Sequence, residues 1–173
     1  MSYSTPCVVS MMSDYLAPAA AIILPNIGGL AAGYITRGNI KTWYEGLKLP
    51  SWRPPNRIFP PVWTTLYCTM GYASYLVWRD GGGFTGDAAL PLAAYGTQLA
   101  LNWAWTPIFF GAHSLKWGFA EIVCLWGSIA GTVYLFHGVN EKAAYMMLPY
   151  LGWVTFATAL TFRIWRDNSE KKE

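Results

Sequence analysis

Residues 100–113 of the chain read ALNWAWTPIFFGAH, and this stretch decides the fold. It closes a run, residues 88–110, that contains no charged side chain. At about 1.5 Å per residue the run is roughly 34 Å long as a helix, which is enough to cross the ~30 Å hydrocarbon core of a bilayer. The stretch therefore predicts the end of a membrane span.

Two residues within this span predict that it forms the functional wall of the protein. The Asn102 amide is costly in lipid unless it has a partner, so it is predicted to face the bundle interior or a ligand. Pro107 lacks a backbone N–H and clashes with the carbonyl of Trp103. It therefore frees a hydrogen-bond acceptor near the membrane surface.

The composition of the chain agrees with a membrane protein. Of its 173 residues, 54% are hydrophobic, 17% are aromatic and only 12% are charged, whereas soluble domains carry about 25% charged residues. Cys7, Cys68 and Cys124 show no disulfide or metal-binding spacing and are interpreted as small buried hydrophobic residues. Residues 1–14 contain no Lys or Arg, so they lack the basic start of a cleaved secretory signal.

Apolar segments predict an all-α integral membrane bundle of five transmembrane helices. Residues 1–14 are predicted to form an N-terminal segment, residues 15–165 the membrane domain and residues 166–173 a polar tail. The first loop, residues 36–57, is long and rich in Trp and Pro, which predicts an ordered cap over one mouth of the bundle. The predicted spans cover residues 15–35, 58–78, 88–110, 117–137 and 143–165.

Span one contains residues that disturb or tighten helix packing. Pro25 is predicted to kink the helix. Gly29 and Gly33 have the spacing of a face that allows close contact with another helix.

The distribution of Lys and Arg predicts the orientation of the bundle. With five spans, the first loop, the link between spans three and four, and the C-terminal end lie on one side of the membrane. That side holds ten of the twelve Lys and Arg, and the other side holds only Arg79 and Lys142. Because cytosolic loops carry an excess of Lys and Arg, the first loop and the C-terminus are predicted to be cytosolic.

Tryptophans fall into two groups by their position in the spans. Three lie at span ends, where Trp forms belts at the membrane interface. Three lie further inside, beside helix-breaking residues, and the sequence alone leaves open whether they line a pocket. Aromatic walls suit flat polycyclic ligands such as sterols or porphyrins. The first group is Trp78, Trp117 and Trp165, and the second is Trp63, Trp105 and Trp153.

Glu121 lies about one turn inside span four. An acid within a span indicates a functional site, but solvation at the membrane interface would explain it equally well. His113 and His137 lie at span ends without the partners that a metal or axial haem ligand needs. The sequence contains no phosphate-binding loop, Ser/His/Asp set or metalloprotease motif. We therefore predict no catalytic residue and no metal site.

Several motifs accompany the opening stretch: PSWRPPN at residues 50–56, PPVWTTLY at 60–67, GYASYLVW at 71–78 and WRDN at 165–168. In this combination the chain resembles the translocator protein family, also called the peripheral benzodiazepine receptor or tryptophan-rich sensory protein family. The resemblance implies a five-helix bundle, often a homodimer, which in eukaryotes lies in the mitochondrial outer membrane. It also implies binding of cholesterol, porphyrins such as protoporphyrin or haem, and benzodiazepine-site ligands. Neither a resident cofactor nor a nucleic-acid partner is expected.

The resemblance further implies a ligand site beneath the first loop. The sterol-recognition pattern of the family, at the end of span five, corresponds to Leu160, Phe162 and Arg166, with Phe in place of the family's Tyr. In span three, Ala93 and Thr97 stand where relatives can have two glycines for close helix contact. The implied ligand-binding residues are Trp63, Asn102, Trp105, Trp117, Trp153, Ala157 and Leu160.

The predicted function is therefore a membrane receptor for these ligands that takes part in sterol or tetrapyrrole transport. Two alternatives remain open. One is the light- or oxidant-dependent breakdown of a bound porphyrin, with Trp63 and Trp153 as electron donors. The other is a non-catalytic scaffold that recruits partners at the membrane through its cytosolic loop and tail.

Overall fold

Five long α-helices dominate the computed structural model of this chain, which describes residues 5–169, with side chains from residue 15 onward. Residues 5–169 contain no β-strand, so the all-α prediction is confirmed. The end of the predicted polar tail, residues 170–173, and the first four residues of the N-terminal segment lie outside this range. The helices are α1 (Thr5–Asn39), α2 (Phe59–Asp80), α3 (Ala89–Thr106), α4 (Leu115–His137) and α5 (Glu141–Ser169).

The helices form a closed ring around one core. α1 packs on α2, α2 on α5, α5 on α4 and α4 on α3, and α3 also contacts α1. The order around the bundle is therefore α1, α2, α5, α4, α3. The main core cluster comes from α2, α3, α4 and α5, and its fully buried members include Met70, Ile129, Phe136, Met147 and Val154.

Three of the helices are long and apolar enough to cross a membrane, judged by length and composition. They are Tyr15–Asn39 within α1, together with α4 and α5. α2 and α3 carry more Tyr, Trp and Thr, and they pack between these helices in the same ring. The outer surface is apolar as well, since Leu30 and Tyr34 of α1 are 78% and 84% exposed. Such a surface suits contact with lipid.

α1 extends beyond the predicted span of residues 15–35 at both ends. It continues through Pro18 and Pro25 as one helix. Pro25 cannot donate a hydrogen bond to the carbonyl of Ala21. Gly71 of α2 packs against that carbonyl so closely that an added Cβ would lie 2.3 Å from the Ala21 oxygen. The backbone disturbed by the proline thus lies against another helix, which is where membrane helices tolerate it.

Close contact between α1 and its neighbours uses Gly28 and Gly29. An added Cβ at Gly28 would overlap the indole of Trp103, and one at Gly29 would overlap the ring of Tyr67. The Cβ of a residue at position 33 would meet no atom within 4 Å. Gly29 therefore lies in a close contact as predicted, but Gly33 does not, because it is exposed on a side of α1 that no other residue covers.

Pro107 determines how α3 ends. The five residues Pro107–Gly111 form one turn of π-helix, and the N–H of Ala112 donates to the Pro107 carbonyl at 2.8 Å. A proline at this position removes a regular helical hydrogen bond, and a wider turn is one way to continue the chain. The turn directs Phe109 and Phe110 inward, where they are 1% and 7% exposed.

Candidate ligand site

The residues between α1 and α2, here called the cap loop (residues 40–58), cover one end of the bundle. Trp43 stacks on His113, with ring centroids 4.3 Å apart. The Nε2 atom of His113 lies 2.8 Å from the side-chain oxygen of Asn39, at the end of α1. One side of the cap loop is thereby attached to the link between α3 and α4.

A second attachment joins the cap loop to the end of α5. The side-chain amide of Asn168 donates to the main-chain carbonyl of Lys48 at 3.1 Å. The side-chain oxygen of the same Asn168 accepts a hydrogen bond from the Lys48 N–H at 3.0 Å. Asn168 therefore pairs with the loop backbone as a neighbouring strand would, and it attaches the cap loop to the end of α5.

Beneath the cap loop lies a second group of buried side chains, the cap cluster, which consists of Tyr44, Phe109, Phe110, Leu160 and Ile164. The rings of Tyr44 and Phe110 lie 5.3 Å apart. Burial raises the pKa of the Tyr44 phenol, an effect that the nearby Arg53 only partly offsets. Tyr44 is therefore uncharged at neutral pH, and the cap presents an apolar, aromatic surface to the bundle.

One face of α5 forms a wall below this cap. Trp153, Ala157 and Leu160 follow each other at spacings of four and three residues, which places them on the same helix face. Trp153 contacts Phe59 of α2 edge-on at 5.7 Å, and its buried indole nitrogen has no hydrogen-bond partner among the described residues. Leu160 is 5% exposed and belongs to the cap cluster. Three of the predicted ligand-binding residues are thus brought together.

A chain of hydrogen bonds crosses the interior between α2, α3 and α5. The Tyr67 hydroxyl donates to the Asn102 side-chain oxygen at 2.8 Å, and the Asn102 amide donates to the Tyr150 hydroxyl at 3.0 Å. The Tyr150 hydroxyl in turn donates to the Gln98 side chain at 3.0 Å. Asn102 therefore faces the bundle interior, and its partners are side chains of the protein.

Trp63, Trp105 and Trp117 have different surroundings. Trp63 packs on Tyr67, with centroids 5.4 Å apart, and edge-on against Tyr150 at 6.2 Å. Trp105 stacks on Phe109 at 4.8 Å and donates its indole N–H to the Gly118 carbonyl at 3.1 Å. Trp117 is 66% exposed and belongs to neither cluster. The position of Trp117 is that of an outward-facing residue near the start of α4.

The residues of the sterol-recognition pattern do not share one face. Phe162 is 40% exposed, and the guanidinium carbon of Arg166 lies 5.8 Å from its ring centroid. Leu160 is two residues from Phe162 and points into the bundle, because successive helical residues turn by about 100°. The structure thus brings Phe162 and Arg166 together on the outside and leaves Leu160 inside.

Phe162 also lines an open apolar groove on the outer surface, between α4 and α5. This outer groove has a volume of about 480 Å³, and the indole N–H of Trp126 bridges it by donating to Thr155 at 2.8 Å. The sequence analysis missed this groove, although Phe119, Val123 and Trp126 repeat at helical spacing. Its lining residues are Phe119, Val123, Trp126, Thr155, Thr158, Ala159 and Phe162.

Other residues of the site were also missed. Gln98 is completely buried, and its position four residues before Asn102 was the available signal that both amides share one helix face. Tyr44, in the first loop, gave no signal of burial. Within residues 5–169 there is no group of three or more His, Cys, Asp or Glu that could hold a metal ion.

Comparison with known proteins gives consistent matches. The model of the TspO/MBR family matches residues 21–166. The chain is 45% identical over 152 residues to the translocator protein of Homo sapiens, covering 87% of this chain and 90% of the relative. It is 43% identical over 150 residues to the translocator protein of Bos taurus, covering 87% and 89%. It is 44% identical over 131 residues to protein CrtK of Rhodobacter capsulatus, covering 75% and 81%.

Proposed function

Since this chain belongs to the TspO/MBR family and is an integral membrane protein, we propose that it is a receptor for flat, apolar ligands. The ligands are cholesterol, porphyrins and benzodiazepine-site compounds, and the protein takes part in sterol or tetrapyrrole transport. The observation that carries this proposal is the aromatic wall of α5 beneath an ordered, apolar cap. Such walls bind polycyclic ligands through contact area and stacking.

The proposed ligand-binding residues are supported to different degrees. Trp153 and Ala157 line the wall, and the unpartnered indole N–H of Trp153 can donate to a ligand. Trp63 and Trp105 pack at the two sides of this region. For Trp117 the support is the family resemblance alone. The complete set is Trp63, Asn102, Trp105, Trp117, Trp153, Ala157 and Leu160.

Cholesterol is proposed to reach the protein from the membrane side. Phe162 lines the outer groove, which is apolar and wide enough for part of a sterol ring system, and the guanidinium of Arg166 lies over the Phe162 ring. A small-residue face of α3 supports a homodimer, because Ala93, Gly96 and Thr97 are exposed and small side chains allow close helix approach. In a eukaryotic host the proposed location is the mitochondrial outer membrane, with the C-terminus cytosolic.

The direct test is a titration of the purified protein in one detergent with cholesterol and with protoporphyrin, side by side. A ligand that binds only the folded state stabilises it by about 2.7 kcal/mol at a hundredfold excess over Kd, so the melting temperature should rise with ligand concentration. Trp153→Ala should reduce this rise, and Trp78→Phe is the matched control. A scaffold without a ligand site would show no rise with either ligand.

A second candidate function is the breakdown of bound porphyrin by light and dioxygen. It is favoured by the contact of Trp63 with Tyr67 and Tyr150, which are joined through Asn102 by hydrogen bonds. Such a set of aromatic side chains can supply electrons to an excited porphyrin. The test is the loss of porphyrin absorbance under illumination with Trp63→Phe and Trp153→Phe. Equal loss with and without these tryptophans would rule out their role as donors.

A further inference from the structure

Glu121 is a buried acid that none of the interactions described so far uses. It lies in α4 six residues after the helix begins at Leu115, beside the buried residues Gly118 and Ile122. Both carboxyl oxygens are shielded from solvent, and neither has a hydrogen-bond partner among the described residues. The carboxyl group therefore lies within the protein and is covered by it.

The neighbouring polar groups have hydrogen-bond partners, whereas the carboxyl of Glu121 has none among the described residues. Asn102 and Gln98 are bonded through Tyr150, and the Gly118 carbonyl accepts from Trp105. Buried polar atoms in proteins almost always have partners, and an unpaired acid within a membrane span is costly. An unpaired acid of this kind is expected where a bound molecule supplies its hydrogen-bond partner.

Solvation at the membrane interface does not account for Glu121. A long acidic side chain near a helix end can extend its carboxyl toward water, and at least one oxygen would then be exposed. In Glu121 both oxygens are covered. The ion pairs of the described residues join Arg79, Arg163 and Arg166 to neighbouring aspartates at helix ends, and none includes Glu121.

Glu121 lies close to one tryptophan of the proposed ligand-binding set. The indole N–H of Trp105 donates to the carbonyl of Gly118, which precedes Glu121 by three residues, so Trp105 contacts the side of α4 that carries the carboxyl.

We propose that Glu121 is the polar anchor of the bound ligand, and that its carboxyl accepts a hydrogen bond from an O–H or N–H group of an otherwise apolar molecule. This inference rests on the proposed receptor function and specifies its recognition chemistry. A ligand must carry a donor that reaches α4 while its apolar body contacts the tryptophans. The 3-hydroxyl of a sterol meets this requirement, whereas the inner N–H groups of a planar porphyrin do not, because they point to the centre of the ring.

The test compares matched ligands on matched variants. Cholesterol is compared with its 3-methyl ether, which keeps the apolar ring system and lacks the donor. The wild-type protein should bind cholesterol roughly tenfold or more tightly than the ether. Glu121→Leu should abolish the preference, and Glu121→Gln, which keeps an acceptor oxygen, should retain most of it.

Glu141→Gln is the control, because it makes the same chemical change at an exposed position at the start of α5. If the wild-type protein binds neither sterol, the proposed function as a sterol receptor is itself wrong. If it binds them and Glu121→Leu keeps the same preference for cholesterol, only the role of Glu121 is overturned. If Glu121→Leu does not fold, equal wild-type affinity for cholesterol and its ether overturns the inference.

Discussion

Trp105 and Trp117 show how differently two tryptophans near the same end of the bundle are used. Trp105 is held by a stack on Phe109 and by a hydrogen bond to the Gly118 carbonyl. Trp117 is 66% exposed and outside both clusters. A belt residue needs only an aromatic ring at the interface, whereas a residue that joins two helices needs a fixed position. Their substitutions should therefore have separable effects.

We expect Trp105→Ala to lower the unfolding free energy by roughly 2–3 kcal/mol, which is less than for a fully buried aromatic, because Trp105 is partly buried. Trp105→Phe keeps the stack and loses the hydrogen bond, so its cost should be about 1 kcal/mol. Trp117→Ala should change stability by less than about 0.5 kcal/mol. The measurement is denaturant unfolding of all three variants in one detergent. Similar losses for Trp105→Ala and Trp117→Ala would contradict the division.

Sequence reasoning was successful for the Asn102 side chain and incomplete for its partners. A lone amide in an apolar span has to face the interior, and Asn102 is 5% exposed there. The hydrogen-bond partners of Asn102 are Tyr67 and Tyr150. Which residues become its partners depends on the order of the helices around the bundle. No local pattern contains this order, because the two tyrosines lie 35 and 48 residues from Asn102.

At the scale of elements, glycine positions decide how closely α1 and α2 approach. The tightest contact is Gly71 against the carbonyl of Ala21, where a Cβ would lie at 2.3 Å. The other atom in this contact is backbone, which cannot rotate away as a side chain can. In contrast, Gly33 faces open space. The spacing of Gly29 and Gly33 could not predict which of the two glycines lies against another helix, because that depends on the paths of the neighbouring helices.

Gly71→Ala should therefore destabilise the protein by roughly 1–3 kcal/mol or more, since overpacking forces α1 and α2 apart. Gly33→Ala should be neutral or stabilising by up to about 1 kcal/mol, because alanine is the better helix former. Melting temperatures in one detergent provide the comparison. A Gly33→Ala variant as unstable as Gly71→Ala would mean that the packing of α1 differs from the one described.

The cap loop depends on the side chain of Asn168 for its attachment to α5. Asn168→Ala removes both hydrogen bonds to Lys48 while leaving the aromatic contacts of the loop intact. We expect faster hydrogen exchange and proteolysis in residues 43–57, without loss of helix content. Asn168→Asp keeps the acceptor and loses the donor, so its effect should be intermediate. Unchanged exchange in Asn168→Ala would show that the stack of Trp43 on His113 suffices.

The helix boundaries show what local pattern can and cannot determine. Apolar runs correctly indicated all five helices, because lipid demands internally bonded apolar segments. The predicted ends of the helices differ from the observed ends where side-chain hydrogen bonds extend a helix. At the end of α1, Asn39 donates to the Ile35 carbonyl and its oxygen lies within hydrogen-bond distance of His113, so the helix continues past residue 35. Likewise, the sequence indicated that Pro107 would disturb the helix, and it did not indicate that a π-helical turn would follow.

At the scale of the whole molecule, contacts at the two ends of the bundle define its two faces. At one end, the cap loop meets the α3–α4 link through Trp43 and the end of α5 through Lys48. At the other end, the amide of Asn140, before α5, donates to Asp80 at the end of α2. A hydrogen bond from Arg79 holds the pKa of Asp80 below its ordinary value, so Asn140 donates to an ionised carboxylate at neutral pH.

Lys and Arg are divided between these two faces. The capped face holds Arg37, Lys41, Lys48, Arg53, Arg57, Lys116, Arg163 and Arg166, and the opposite face holds Arg79 and Lys142. Lys171 and Lys172 lie outside the described residues. The capped face is therefore predicted to be cytosolic. Since Lys41 and Lys142 are both exposed, a single cysteine at either position reports on one face.

Lys41→Cys should be labelled by a membrane-impermeant maleimide added to intact mitochondria, in a variant whose three native cysteines are replaced by serine. Lys142→Cys should be labelled only after the outer membrane is permeabilised, because it lies across the bilayer from the reagent. Labelling of both in detergent controls for reactivity. Labelling of Lys142→Cys alone in intact organelles would reverse the orientation and place the cap, with the ligand site beneath it, on the side away from the cytosol.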